Sequence, residues 1–332
     1  MLHKGGNIKD CSNYRTIALI SHSSKVLLVI ILNRLKFKIE QELSDCQTGY
    51  HINRGTIDML FVLQILTEEV RNSDQEMYIT FIAYSKAFDS VKHNHLFKTM
   101  DVMGFPKHLI KLIAGLYSGQ RAIILWDDKK CEFFNITEGV RQGCILSPHL
   151  FNIYTEQIMR EADIDQLGVN INGRNLTNLR YADDTALMSD NITSMTRILH
   201  RVDESGKKAG LKMNAKKTKA NPESQVDRQK SVLKELKTEK TLLNLINARK
   251  LKYVGHALRN HRTSLMKTVC EGRLDGRRRK GRPPISLVTN LTTACGLSLH
   301  QIAQKSQDRA GWQQKVRSSI ATANTASGDA DR

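Results

Sequence analysis

The stretch LRYADDTALMS, residues 179–189, carries two adjacent carboxylates, Asp183 and Asp184, flanked by short apolar runs. Its pattern predicts two short strands around a hairpin turn. Neighbouring carboxylates repel, and a folded chain accepts them most readily when a cation lies between them. Hard oxygen ligands of this kind suit magnesium, and a pair of such ions serves phosphoryl transfer. Alone, the doublet is equally an ordinary polar turn, because Asp is favoured there. A second stretch, FIAYSKAFDSV at 81–91, runs from an apolar strand through a polar turn to Phe88 and Asp89. A carboxylate at position 83 would complete a metal site with Asp183 and Asp184, but the residue there is Ala83.

The elements that must hold these residues are read from periodicity. Residues 13–40 predict a helix with Val26, Ile30 and Leu35 on its stripe and Ser23 or Ser24 as cap. TIDMLFVLQILTEEVRN predicts a second helix, and EMYITFIAY a strand. From Ser90 to Gly119 the pattern is helical, broken at Gly104-Phe105-Pro106, and the following RAIILWDDKKCEFFNITEGV reads as strands around a turn at DDKK. Ser147 is the expected N-cap of the next helix, with Pro148 first in it and Leu150, Phe151, Tyr154 and Ile158 on one face. SMTRILHRVDESGKKAG reads as a helix, and LKMNAKKTKA as a strand running into basic residues. Beyond 219 come a polar stretch, a basic amphipathic helix, an exposed basic loop, one or two more helices and a polar end expected to fray.

The chain has 332 residues, 40% of them hydrophobic, which is ample for a packed core. The longest apolar run, VLLVIIL, is too short to span a bilayer, and the start lacks the apolar stretch of a secretory signal. Six scattered cysteines without a C-x-x-C spacing imply reduced thiols. His256, His261, Cys270 and Cys295 fit no zinc-finger spacing. These features imply a soluble, intracellular protein with no membrane partner. Nothing in them sets an oligomeric state. The net charge of +18 is unevenly spread. Residues 1–200 carry 22 Lys+Arg against 22 Asp+Glu, whereas residues 201–332 carry 29 against 11. A neutral body with a basic end points to a polyanionic partner, the alternative being a solvated tail.

Over residues 13–219 the chain resembles the reverse transcriptases of non-LTR (LINE-type) retrotransposons. NYRTIALISHSSKVLLVIILNRL and QTGYHINRGTID are similar to that family's fingers motifs. FIAYSKAFDSVKHNHL, GVRQGCILSPHLFNIY, LRYADDTALMS and GLKMNAKKTK look like its palm A, B, C and D motifs, in family order. The segments RKLKYVGHALRN, EGRLDGRRRKGRPP and QDRAGW also resemble the end of such proteins. The resemblance implies an α+β fold: right-hand polymerase fingers and a palm with an antiparallel sheet and helices, followed by a basic helical C-terminal tail. Fingers are expected over 1–78, palm over 79–219, a polar junction with a shortened thumb over 220–240, a basic helical region over 241–320 and a frayed tail over 321–332.

The implied activity is RNA-directed DNA polymerisation. A DNA primer is extended along an RNA template from deoxynucleoside triphosphates, with two magnesium ions. Asp183 and Asp184 are then the metal-binding carboxylates of palm C. Phe88 would lie under the sugar and exclude a 2′-hydroxyl. Gln142 and Gly143 would open the helix near template and nucleotide, Arg54 would contact phosphate, and Lys216 and Lys217 would neutralise or protonate the leaving group. For each, a plain structural role is the alternative: a core aromatic, a loop before a helix, a solvated turn, a charge run. Ala83 stands where the family has the aspartate that bridges both metals, and His51 and Asn53 replace a usual arginine and glycine. The family's upstream endonuclease and primer-grip signature are not found. These departures imply impaired catalysis, or a non-catalytic nucleic-acid-binding remnant, or a decayed product. Arg277, Arg278, Arg279, Lys280 and Arg282 are the expected nucleic-acid contacts, and Lys280-Gly281-Arg282-Pro283 among them is similar to the core of an AT-hook. A nonspecific phosphate patch or a nuclear-import signal would use the same residues.

Overall fold

The computed structural model describes residues 2–3, 5–7, 9–10, 13–15, 17–51, 54–73, 75–123, 125–126, 129–130, 132–222, 240–259, 265, 268–269 and 287–325. Asn53, His261, Cys270, most of the polar junction and the whole basic cluster at 277–282 lie outside the described residues.

Strands β1 (Leu2–His3) and β2 (Tyr14–Arg15) pair at the start. Helix α1 (His22–Glu42) then begins later than its hydrophobicity predicts. Ser21, rather than Ser23 or Ser24, is its cap, accepting from the Ser24 N–H at 3.3 Å. The segment before it cannot join the helix, because the Ala18 N–H is used by the Gln142 carbonyl at 2.8 Å. Helix α2 (Thr56–Asn72) follows, then β3 (Tyr78–Ile82), a 3-10 turn at Ala87–Ser90 and α3 (His93–Val102). The break at 104–106 is as expected, and α4 (Lys107–Tyr117) starts after Pro106. Short strands pair as β4 (Arg121–Ala122) with β7 (Phe134–Asn135), and β5 (Leu125–Trp126) with β6 (Lys129–Lys130); the two lysines of DDKK are thus strand, and its two aspartates lie outside the described residues.

Helix α5 (Ser147–Ala162) is central and buried on most of its circumference: Leu150, Phe151, Ile153, Tyr154 and Ile158 are fully buried, and so are the polar Asn152 and Glu156. Its cap is Leu146 and Ser147 is already helical, which corrects the expected N-cap by one position. Strands β8 (Val169–Ile171), β9 (Arg174–Leu176), β10 (Asn178–Tyr181) and β11 (Asp184–Ser189) lead to α6 (Ile192–Lys208) and β12 (Lys219–Pro222). Of the strand expected from residue 211, only β12 pairs as one.

The central sheet has four antiparallel strands in the order β10-β11-β3-β12. Side chains alternate across it. Ile82 and Leu187 enter a core with α1, α3, α5 and α6, while Leu179, Ala186 and Met188 enter a second core with α2. Three C-terminal helices, α8 (Leu287–Cys295), α9 (Leu299–Ser306) and α10 (Arg309–Thr325), pack on α7 (Lys240–Arg259). Their buried Leu251, Val254, Leu291, Ile302 and Trp312 complete the second core. Tyr253 donates to Asp58 of α2, and Phe61 meets Tyr253 edge-on. Among the described residues, no helix is long and apolar enough to cross a membrane.

Candidate active site

Strands β10 and β11 are in register from Asn178–Leu187 to Tyr181–Asp184, which leaves Ala182 and Asp183 as a two-residue turn. Ala182 takes a positive φ of 56° and is buried. The loop at residues 46–49 fixes this turn. The Ala182 N–H donates to Gln47 Oε1 at 3.2 Å, and the same oxygen accepts the Gly49 N–H at 3.0 Å. Thr48 N–H reaches the Arg180 carbonyl and Arg180 N–H the Cys46 carbonyl, both at 2.8 Å, so the loop lengthens the sheet beside β10. Gly49 is required by close approach: a Cβ there would lie 2.6 Å from the Ala182 nitrogen. Beneath the turn, the guanidinium of Arg180 pairs with Glu156 at 2.8 Å and donates to Asn178 at 2.9 Å, with both charged residues buried. Asn152 of α5 donates to the Gly49 carbonyl at 2.6 Å. Sequence reasoning missed Gln47, Asn152, Glu156 and Arg180 as supports. Gln47 lies in the QTGY motif, Asn152 in SPHLFNIY and Arg180 in LRYADD, but nothing in those motifs pairs one with another.

The end of β3 meets this turn. Thr185 faces Ile82, and one further step of that register sets Ala83 opposite Asp184 on the same face of the sheet. The Ala83 carbonyl accepts the Asn214 N–H at 2.8 Å, and Ser85 N–H reaches the Lys212 carbonyl at 2.9 Å. Asn214 Oδ1 accepts the N–H groups of Lys216 and Lys217 at 3.1 and 3.2 Å. Lys216 and Lys217, both exposed, thus stand on a turn tied to Ala83.

A second cluster assembles around the 3-10 turn. Phe88 is half-buried and stacks on Phe151, with centroids 4.7 Å apart and planes 13° apart. Val140 N–H donates to the Phe88 carbonyl at 2.8 Å, and Gln142 Nε2 to Asp89 Oδ1 at 3.1 Å. Gly143 has φ of +94°, the left-handed region that favours glycine. The structure therefore brings Phe88, Gln142 and Gly143 together.

Arg54 faces inward: its side chain is 8% exposed and bonds Asp45 Oδ1 at 2.8 Å, tying together the loop between α1 and α2. His51 is also turned in, with Nδ1 2.9 Å from Glu40 Oε2. Burial lowers its pKa despite the Glu40 carboxylate. Burial likewise lowers His149 to about 4, with the neighbouring His51 and Lys36 adding to the shift and Glu40 opposing it.

Residues 2–258 match the family described as reverse transcriptase (RNA-dependent DNA polymerase). The chain belongs to the reverse transcriptase family. Among its relatives is a Pol polyprotein of the type-2 retrotransposable element R2DM of Drosophila melanogaster, 27% identical over 63% of this chain and 20% of that protein. A Pol polyprotein of element R2 from Popillia japonica is 26% identical over 66% of this chain and 31% of its own length. An RNA-directed DNA polymerase of the mobile element jockey of Drosophila melanogaster is 25% identical over 57% and 20%. The chain thus spans about a fifth to a third of these retrotransposon proteins.

The reverse transcriptase family uses divalent ions, and two ions sharing a site need a carboxylate that reaches both. Ala83 offers a methyl in its place, and its carbonyl is engaged by Asn214. Among the described residues no three His, Cys, Asp or Glu side chains converge as a metal site. The residues present do not fit a two-magnesium centre.

Proposed function

We propose that this chain is the polymerase core of a non-LTR retrotransposon protein, built to extend a DNA 3′-end along an RNA template with deoxynucleoside triphosphates, and that Ala83 impairs it. The observation that carries this reading is the meeting of the Asp183–Asp184 turn with the end of β3, beside the lysine turn tied to Ala83. In this reading Asp183 and Asp184 would be metal carboxylates only with a third restored at position 83, the Phe88 ring sits under the sugar and selects deoxynucleotides, and Gln142 and Gly143 back the template or nucleotide. Exposed Lys216 is available to a leaving group. Arg54 serves the triphosphate indirectly, by holding the loop that holds the turn. Losing one carboxylate from the site lowers the rate by roughly two or three orders of magnitude or more.

A second reading is supported by the charge distribution, with the entire +18 excess beyond residue 200. Here the chain is a non-catalytic nucleic-acid binder, its basic cluster from Arg277 to Arg282 gripping phosphates. The test is primer extension by the Ala83→Asp chain with magnesium. Extension that requires an RNA template and disappears on Asp183→Asn supports the polymerase reading. Salt-sensitive RNA binding without any extension supports the second.

A further inference from the structure

Between α1 and α2, Tyr50 has a φ of +59°, a left-handed conformation that a bulky side chain rarely adopts. The surroundings impose it. The Gly49 N–H and carbonyl are both taken, by Gln47 and Asn152, and Gly49 is pressed against the Ala182 nitrogen. The chain can leave this anchor only by turning outward. The Tyr50 ring is 47% exposed, although Gly49 before it and His51 after it are buried.

The exposed ring is not loose. It stacks on Tyr181 with centroids 6.1 Å apart and planes 30° apart, and His149 meets it edge-on at 6.1 Å and 62°. Both distances are within the range in which aromatic pairs attract. Tyr181 is the last residue of β10, one step before the carboxylate turn. Tyr181 is two residues from Asp183, so the ring seated on it stands next to that carboxylate. An aromatic face held by strained backbone, open to solvent and beside the site carboxylate, is arranged for a flat ligand rather than for packing.

We infer that Tyr50, seated on Tyr181, is a stacking shelf for a nucleobase next to Asp183. The inference rests on the polymerase reading and names a subsite within it. Stacking on a phenol ring is sequence-tolerant, because every base has a π-face. The base could belong to the primer 3′-end, to the template or to an incoming nucleotide.

Photo-cross-linking through 5-iodouracil distinguishes these sources without requiring catalysis. The full chain is irradiated at low salt with an RNA–DNA primer–template carrying the label at the primer 3′-terminus, or at the template base opposite the insertion position. In a third arm the label is 5-iodo-dUTP. The expected result is a cross-link mapping to Tyr50 in one arm. Tyr50→Gly should abolish it and weaken binding of that component by about 5- to 100-fold. The same variant should still unfold cooperatively within a few degrees of the native chain, because the backbone strain it relieves offsets the two lost ring contacts. Tyr50→Phe should keep both cross-link and affinity. A complex that forms normally, cross-links elsewhere and is unaffected by Tyr50→Gly overturns the shelf alone. Failure to form any complex at low salt overturns the shelf together with the polymerase reading.

Discussion

The carboxylate turn at Tyr181–Asp184 and the end of β3 at Ala83 meet at one end of the same sheet, yet they are held by different means. The turn has backbone bonds to the Cys46–Thr48 loop, but its tip depends on side chains: the Gln47 amide, and beneath it the buried Arg180–Glu156 pair with Asn178. The β3 end depends on backbone bonds, from Asn214 N–H to Ala83 and from Ser85 N–H to Lys212. A backbone bond is indifferent to the side chain of the residue that makes it. A carboxylate can therefore be absent at position 83 with the strand end still in place, whereas the turn cannot lose its supports without moving.

Substitutions should break this contrast to different degrees. The largest effect is expected for Glu156→Ala, which strands the buried Arg180 charge. Urea unfolding should show a loss of about 3–5 kcal/mol. Gln47→Ala removes the acceptor of two N–H groups in the buried turn, and a loss of about 2–3 kcal/mol is expected in the same assay. If Gln47→Ala left stability untouched, the turn would not depend on its side-chain anchor.

Acid should also act on the turn side, through His149. Its folded pKa of about 4 lies below the usual histidine value, so the unfolded chain binds more protons between about pH 4 and 6.5. Stability therefore rises with pH across that window, and the contribution is lost as pH falls through it, on the order of 2 kcal/mol at pH 5. His51 is shifted in the same direction and adds to the trend. The difference between the native chain and His149→Gln, each measured from pH 4 to 7, should carry this slope. Parallel curves would contradict it. The smallest effect belongs to the β3 side. Asn214→Ala removes only an acceptor for the exposed Lys216 and Lys217 N–H groups, leaves its own backbone bond to Ala83, and should cost about 1 kcal/mol or less by thermal melting.

Much of this arrangement was legible in the chain because it is local. The hairpin around Asp183, the break at Gly104–Pro106 and the helix through Phe151 follow from alternation, breaker residues and 3.6-residue spacing. The start of α1 was not, because an apolar pattern extends past a cap whose upstream neighbour is bonded to Gln142. Neither was the turn's anchor. Gln47 and Ala182 are 135 residues apart, and nothing in their spacing says that an amide will meet a strained backbone N–H. The docking of Leu251, Val254 and Trp312 on the α2 side of the sheet was equally hidden. Periodicity marks those positions as apolar without naming the surface they cover.

The central claim is that the scaffold is intact around a missing ligand at position 83. The most direct test compares primer extension on an RNA template, with magnesium, between the native chain and Ala83→Asp at matched concentration. The account predicts that the variant extends at least about 100-fold faster, with an unfolding midpoint close to that of the native chain. Equal rates for the two chains, whether both active or both silent, would contradict it.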